Sequence, residues 1–276
     1  MPYRPSIVKL NRVSVRGESD LMKVVVAMPA FNEAEGIESF ALELLEAISP
    51  EYECEILVID DASTDATGEV LRKISMTGLP ITSMSNPQNL GHGPSTLRAL
   101  RLGLASDADI ILAIDGDGQF LGSDVRHVID QVLEGDVDVV EGVRTSRSEA
   151  GYRRLVSLVT RCLVWQRCRV WPKDANTPLR AYRRDFLAAI LTSIPDGATT
   201  PNLYMSVLTR QRHARLIEIE VRSIPRRGSE SMGSSWGRGS TLVPSMRFLK
   251  FCFRAARQWV SFPKARRGRS GRESLG

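Results

Sequence analysis

An α/β fold is predicted, with a mostly parallel central sheet covered by helices, and three observations predict it. Runs of strand length and almost wholly apolar character recur through the first half of the chain, among them "KVVVAMP" (23–29), "CEILVID" (54–60) and "DIILAID" (109–115). Strands with no polar face are buried on both sides, as in a parallel sheet between helical layers. Stretches with apolar residues at helical spacing alternate with these runs, and unusual polar residues gather where the strands end.

The first strand, 23–29, is rich in β-branched residues and too short for a helix. "EGIESFALELLEAI" (35–48) repeats its apolar residues at helical spacing. The strand 54–60 follows, then a helix around 65–74, a short strand near Ile81, a helix over 94–104, the strand 109–115, a helix over 124–133 and the strand "VDVVEG" (137–142). After Gly142 the alternation gives way to an arginine-bearing helix (152–171), the segment "KDANTPLRAYRRDFLAAI", a helix near 203–211 and the strand "RLIEIEV". "RRGSESMGSSWGRGS" (226–240), rich in Gly and Ser, reads as a mobile loop. The expected organisation is an N-terminal extension (1–22), the α/β domain (23–228), a flexible loop (229–246), and a basic amphipathic segment ending in a disordered tail (247–276).

The 276 residues, 42% hydrophobic and 25% charged, suffice for one large domain with extensions. No apolar stretch reaches the roughly 18 to 20 residues of a membrane-spanning helix, and the first twenty residues lack the apolar centre of a signal peptide, so a cytoplasmic location is expected. Cys54, Cys162, Cys168 and Cys252 form no CxxC pair and read as reduced structural thiols. The net charge of +5 is unevenly distributed. From Arg247 onward nine basic residues face one acidic residue, which leaves the rest, with 28 basic and 31 acidic residues, at −3. A basic tail on a slightly acidic body argues against a nucleic-acid-binding surface.

Ligands of open α/β sheets bind beyond the carboxyl ends of the strands, and there the sequence places "PAFNE", "DDASTD" and "DGDGQ". Taken alone, "DASTDAT" reads as a helix cap. Asp115 and Asp117 are different, because a buried strand has no use for unpaired carboxylates. If the chain stays extended they point to one side and can share a divalent ion. Oxygen ligands suit Mg²⁺ or Mn²⁺, which complete their shells with substrate phosphates and water, so a metal-bound diphosphate is expected. A calcium loop starting at Asp115 fails, because its twelfth position is Arg126 rather than Glu. A dehalogenase-like phosphatase is weakened by Gln119, which stands where Thr or Val would be sought.

"PAFNE", "IDDASTD", "NLGHGPS" and "DGDGQ", in this order and spacing, resemble the nucleotide-sugar-binding domain of family 2 glycosyltransferases, which have the Rossmann-like GT-A fold. "GVRTSR", "YRRLVS", "DANTPLRAYRRDFL" and "EIEVRSIPRRG" extend the resemblance towards dolichol-phosphate mannose synthases and related polyprenyl-phosphate glycosyltransferases. The resemblance implies Pro29, Phe31 and Glu33 around the nucleotide and Asp61 near its base and ribose. It implies Asp115, Asp117 and Gln119 as metal ligands, with Gly116 admitting the backbone close to the ligand. Arg144, Arg153 and either Arg226 or Arg227 would contact the donor diphosphate or the acceptor phosphate, as guanidinium groups bind phosphate oxygens bidentately. Read without the resemblance, Arg153 and its neighbours are a solvated helix face. Related synthases often carry an acidic residue near the position held here by Met205.

The function implied is inverting transfer of a sugar from a donor such as GDP-mannose or a UDP-hexose to a polyprenyl phosphate. A phosphate acceptor is already an anion near pH 7 and needs no general base, and no base motif is recognisable. Alternatives are a transferase with a saccharide or other small acceptor, and a non-catalytic sugar-nucleotide-binding scaffold docked to a multispanning membrane partner. A helical wheel over 247–262 puts Arg247, Lys250, Arg254 and Arg257 on one arc, with Phe248, Phe251, Trp259 and Phe262 among the apolar remainder. That composition, followed by "KARRGRSGR", predicts peripheral docking on an anionic membrane at its cytosolic face.

Overall fold

The computed structural model describes residues 21–145, 151–228 and 246–262, with the side chains of 151–153 and 247–249 excepted. Residues 1–20 of the expected extension (1–22), almost all of the Gly/Ser-rich loop and the tail beyond 262 therefore lie outside the described residues. The elements run β1 (Lys23–Ala30), α1 (Ile37–Ile48), β2 (Glu53–Asp60), α2 (Thr67–Ser75), β3 (Ile81–Ser85), α3 (His92–Ala105), β4 (Ile110–Ala113) and α4 (Gly122–Glu134). They continue with β5 (Val139–Thr145), α5 (Gly151–Cys168), β6 (Arg180–Arg183), α6 (Arg184–Leu191), α7 (Pro201–Gln211), β7 (Leu216–Arg222) and α8 (Met246–Ser261).

The strands form one seven-stranded sheet in the order β3-β2-β1-β4-β6-β5-β7. All neighbours are parallel except β6, which runs antiparallel between β4 and β5. Alternating side chains of β1 divide between the faces: Val24, Val26 and Met28 pack with α1, α2 and α4, while Ala27 packs with α3, α6 and α7. This is the mostly parallel α/β sheet the sequence predicts.

β6 was not legible as a strand, because "RAYR" is short and has Arg at both ends. Its fully buried Arg180 is tolerated because Glu141, its directly opposed partner on β5, lies within ion-pair distance. β4 stops at Ala113, so Asp115 and Asp117 sit on a turn beyond it rather than in extended chain. The expectation that strand alternation points both carboxylates to one side is thereby corrected.

The C-terminal helix forms as expected, but its apolar residues do not all face outward. Trp259, 7% exposed, and Phe262 are buried in the domain, where both rings pack edge-on against Tyr204 of α7. Arg167 of α5 lies over both rings and donates to the carbonyls of Trp259 (2.7 Å) and Phe262 (2.8 Å). Gln258 accepts from the N–H of Thr199 and donates to the carbonyl of Gly197, both at 2.8 Å. Trp259 and Phe262 are thus core residues, which corrects their assignment to a membrane. Phe253, 74% exposed, and Val260, 81% exposed, remain on the outer face.

Candidate functional site

The loops after β1 and β2 are laced together first. Asn32 adopts a left-handed backbone (φ 55°), donates its N–H to Ser63 Oγ (2.9 Å) and accepts from the N–H of Thr64 (2.8 Å). Thr67 Oγ1 accepts from the N–H of Glu33 (2.8 Å), and Asp65 accepts from the N–H of Thr67 (2.9 Å). The polar residues of "DDASTD" therefore work chiefly as caps and ties, as their composition suggests. Their effect is to fix Glu33 at the mouth of the sheet.

The segment after β7 closes over the turn that carries the two carboxylates. Ile224 donates its N–H to the carbonyl of Gln119 (3.0 Å), and Arg227 donates its N–H to that of Asp117 (3.1 Å). The two adjacent arginines then diverge. Arg227 stacks over Phe40 at 5.2 Å, donates to the carbonyl of Gly118 (3.3 Å) and pairs with Glu43, so it braces the turn from behind. Arg226 turns to the site, where its Nε donates to Glu33 Oε2 (3.1 Å) and its Nη2 pairs with Oε1. Gly118 has φ +66°, and any Cβ there would strike the Arg227 side chain, so this close approach requires glycine.

Three carboxylates share this corner, and the electrostatics follow. Burial, assisted by Asp115, pushes Asp117 up to about 6. Burial likewise pushes Glu33 up to about 7 against the pull of Arg226, with Asp117 and Asp115 adding to the rise. Among the described residues no cluster of three or more His, Cys, Asp or Glu could hold a metal ion by itself. Two hard carboxylates short of cationic partners suit Mg²⁺ or Mn²⁺, ions that keep waters and substrate phosphates in their shells. They do not suit a closed structural cage.

The other expected site residues divide. Pro29 is buried at the end of β1, with Phe31 partly exposed just beyond it. Gly116 donates its N–H to the carbonyl of Pro29 (3.1 Å), and a Cβ there would meet that carbonyl and Ile37. A side chain at this position would therefore press on β1 and α1. Asp61 is buried and accepts from the N–H groups of Leu90 and Gly91 and from Asn86, at 2.7 to 2.8 Å. These bonds organise the loop before α3. Arg144 is held by Asp174 through two bonds of 2.7 and 3.1 Å and also donates to the carbonyl of Asn176. Gln119 donates its backbone N–H to Asp117 Oδ1 (3.2 Å). Arg153 lies in the first turn of α5, with its side chain outside the described residues. Met205 is buried in the core, where its sulfur accepts from the Tyr182 hydroxyl.

Two site-edge residues carried no expectation. Asp174 could have been noticed as the acidic residue of an arginine-rich stretch. His92, whose Nε2 lies 3.4 Å from Asp115 Oδ1, could have been noticed in "NLGHGPS".

Residues 25–191 match the model of the glycosyl transferase family 2 domain. The chain belongs to this family. A relative from Aeromonas hydrophila, undecaprenyl-phosphate 4-deoxy-4-formamido-L-arabinose transferase, is 24% identical over 217 residues, covering 77% of this chain and 63% of its own length. The Pseudomonas aeruginosa protein of the same name is 27% identical over 62% of this chain and 50% of its own. The chain thus spans less than two thirds of the length of these relatives. Mannosyl-3-phosphoglycerate synthase from Rubrobacter xylanophilus superposes with a TM-score of 0.59 at 18% identity, over 87% of this chain and 73% of that one. A mannosyltransferase from Pyrobaculum calidifontis, in complex with GDP-Man and Mn²⁺, superposes with a TM-score of 0.53 at 20% identity, over 75% and 58% of the two chains. The family 2 domain described here has the GT-A fold of these glycosyltransferases.

Proposed function

We propose that the chain moves a sugar, with inversion, from a nucleotide-diphosphate sugar to a polyprenyl phosphate at the cytosolic membrane face. The observation that carries the reading is the pairing of Asp115 and Asp117 at the end of β4, with Arg226 delivered opposite them from β7. In this reading the two carboxylates would hold Mg²⁺ or Mn²⁺, and the chemistry such an ion would supply there is compensation of charge on the departing nucleoside diphosphate. Arg226 exchanges Glu33 for a phosphate oxygen and stabilises the same charge. Glu33, its carboxyl raised by burial, is ready to take a proton once that pair opens. Arg144, positioned by Asp174, and Arg153 on α5 serve the acceptor phosphate, which needs no general base to attack.

The names of the curated relatives support a lipid phosphate, as do exposed apolar residues near the end of the chain. Among the described residues no helix is long and apolar enough to cross a membrane. Phe251, Phe253 and Val260 of α8, and Leu155, Leu158 and Val159 of α5, are exposed, with Lys250, Arg254 and Arg257 beside them on α8. Apolar residues alternating with cations suit an anionic bilayer. The double substitution Phe253→Ser, Val260→Ser is expected to weaken co-sedimentation with anionic vesicles and leave the melting temperature unchanged. Trp259→Ala, which empties a core position, is expected instead to cost about 3 to 5 kcal/mol of stability. Equal vesicle binding by the parent and the double variant would remove the membrane from this reading.

Incubation with radiolabelled GDP-mannose, UDP-glucose and other nucleotide sugars, with polyprenyl phosphate and Mn²⁺, tests the activity. Label is expected in the organic extract with polyprenyl phosphate but not with the free polyprenol. Equal use of the alcohol, or label only on a water-soluble acceptor, would overturn the acceptor assignment.

A further inference from the structure

One carboxylate of α1 ties together three pieces of chain around the proposed diphosphate site without belonging to it. Glu43 accepts from the N–H of Gly122, the first residue of α4, at 2.6 Å and pairs with Arg227 of the segment after β7. Arg227 in turn lies 5.2 Å over Phe40 of α1 and donates to the carbonyl of Gly118 (3.3 Å) on the turn that carries Asp117. The packing leaves no slack. A Cβ at Gly36 would lie 2.7 Å from the Arg227 Cβ, and one at Gly122 would lie 3.0 Å from the Glu43 carbonyl oxygen. The Glu43 and Arg227 side chains are 32% and 22% exposed, which makes theirs an ion pair of moderate strength.

We propose that Glu43 is a positioning residue that sets Arg226 for the donor diphosphate by anchoring Arg227. The inference rests on the reading of the Asp115–Asp117 corner as the diphosphate site. Arg226 binds a phosphate oxygen only by leaving Glu33, so Glu33 cannot be what holds it in place when the ligand is bound. An anchor that persists through this exchange has to lie elsewhere, and Arg227 is the next residue. β7 ends at Arg222, and beyond it the backbone is tied to the turn by the N–H groups of Ile224 and Arg227, which donate to the carbonyls of Gln119 (3.0 Å) and Asp117 (3.1 Å). The second of these ties belongs to the residue that Glu43 holds. Releasing the Arg227 side chain therefore loosens the stretch on which Arg226 stands, and a guanidinium displaced from its productive position loses phosphate affinity.

The carboxylate turn depends less on this pair. It is joined directly to β4 on one side and α4 on the other, Gly116 donates its N–H to the carbonyl of Pro29 (3.1 Å), and Gln119 donates its N–H to Asp117 Oδ1 (3.2 Å). Loss of the Glu43 charge is therefore felt at Arg226 before it is felt at Asp115 and Asp117. Glu43→Gln separates the two duties of the side chain. The amide oxygen still accepts from the N–H of Gly122, so the start of α4 keeps its partner, while the ion pair with Arg227 is lost.

Amide exchange and a double-mutant cycle test the assignment. Without nucleotide, Glu43→Gln is expected to speed hydrogen exchange at the amides of Ile224 and Arg227 by about fivefold. The last turn of α3 opens without this pair, and its exchange is expected to be unchanged. Unchanged exchange at Ile224 and Arg227, or equal acceleration in α3, would overturn the anchor. Calorimetric titrations with GDP and with UDP, each with Mn²⁺, are expected to show that Glu43→Gln weakens the diphosphate that the parent binds by about 3- to 5-fold, and Arg226→Gln by about tenfold or more. In the Arg226→Gln background, Glu43→Gln is expected to add less than about twofold, because the residue it positions is gone. The same loss in both backgrounds would show that Glu43 does not act through Arg226 and would overturn the proposal. Failure of the parent to bind either diphosphate would instead remove the glycosyl-transfer reading, while the exchange rates, read without nucleotide, test the anchor by itself.

Discussion

Asp117→Asn is expected to abolish transfer and, in the absence of metal, to raise the melting temperature. Both effects come from one feature, a partly buried carboxylate facing Asp115 without a cation of its own. Losing a group that supports charge stabilisation at the leaving diphosphate should cost roughly 100- to 1,000-fold or more in turnover. Asparagine keeps the oxygen that accepts from the N–H of Gln119 while removing the repelling charge. Because burial raises Asp117 to about 6 and Glu33 to about 7, the native chain binds more protons here than the unfolded chain. Their contribution to stability is therefore complete below the unfolded values and is lost as pH rises through about 6 to 7. Relief of this repulsion in Asp117→Asn is of order 1 to 3 kcal/mol at pH 7. Thermal melts of the parent and Asp117→Asn in EDTA at pH 5 and pH 7.5 check it, and the gain should appear mainly at the higher pH. Transfer undiminished in excess EDTA, or a variant less stable than the parent at pH 7.5, would sink the metal assignment.

The carboxylate pair was legible because it was out of place. A run as apolar as "IILAI" ending in "DGD" demands a cation, and that demand can be read from letters alone. The division of labour between Arg226 and Arg227 could not be read. Neighbours in irregular chain point in different directions, and only the bonds of Ile224 and Arg227 to the turn show which faces the site. The apolar strands β1, β2 and β4 were legible for the same reason as the carboxylates, since burial on two faces leaves little choice of composition. β6 was hidden because its arginines are paid for by partners distant in sequence. The internal bonds of Asp61 could not be read, because its three donors come from residues 25 to 30 positions later. In α8 the amphipathic pattern was sound, but a protein groove and a bilayer accept the same aromatic residues. Trp259 and Phe262 were claimed by Tyr204 and Arg167, and Phe253 was not.

Glu141→Ala is expected to be strongly destabilising. Glu141 is 1% exposed and stands at the junction of β5, β6 and β7, opposite Arg180 on one strand and Glu218 on the other. Its Oε2 accepts from Arg210 Nη2 (2.9 Å), and its Oε1 lies 3.4 Å from Arg180 Nε, a contact too poorly aligned for a hydrogen bond. Arg180 otherwise has the carbonyls of Asn202 (2.8 Å) and Ala175 (3.3 Å), which orient it without neutralising it. Removing the carboxylate would leave a fully buried guanidinium unpaired, at a cost of about 3 to 5 kcal/mol. For a domain of this size that corresponds to a fall of about 6 to 20 °C in melting temperature. Glu218→Ala is the informative control. Glu218 contacts Arg210 at 2.7 Å but is more exposed, and Arg210 keeps Glu141, so a loss of only about 1 kcal/mol is expected. Equal losses from the two variants in thermal or denaturant melts would show that Arg180 does not depend on Glu141. The consequence reaches the site, because β5 leads directly to Arg144 and β7 to Arg226. A chain that buries this cluster fixes both arginines relative to the carboxylates of β4, so partial loosening of the β5–β6–β7 junction should lower turnover in Glu141→Ala before it unfolds the sheet.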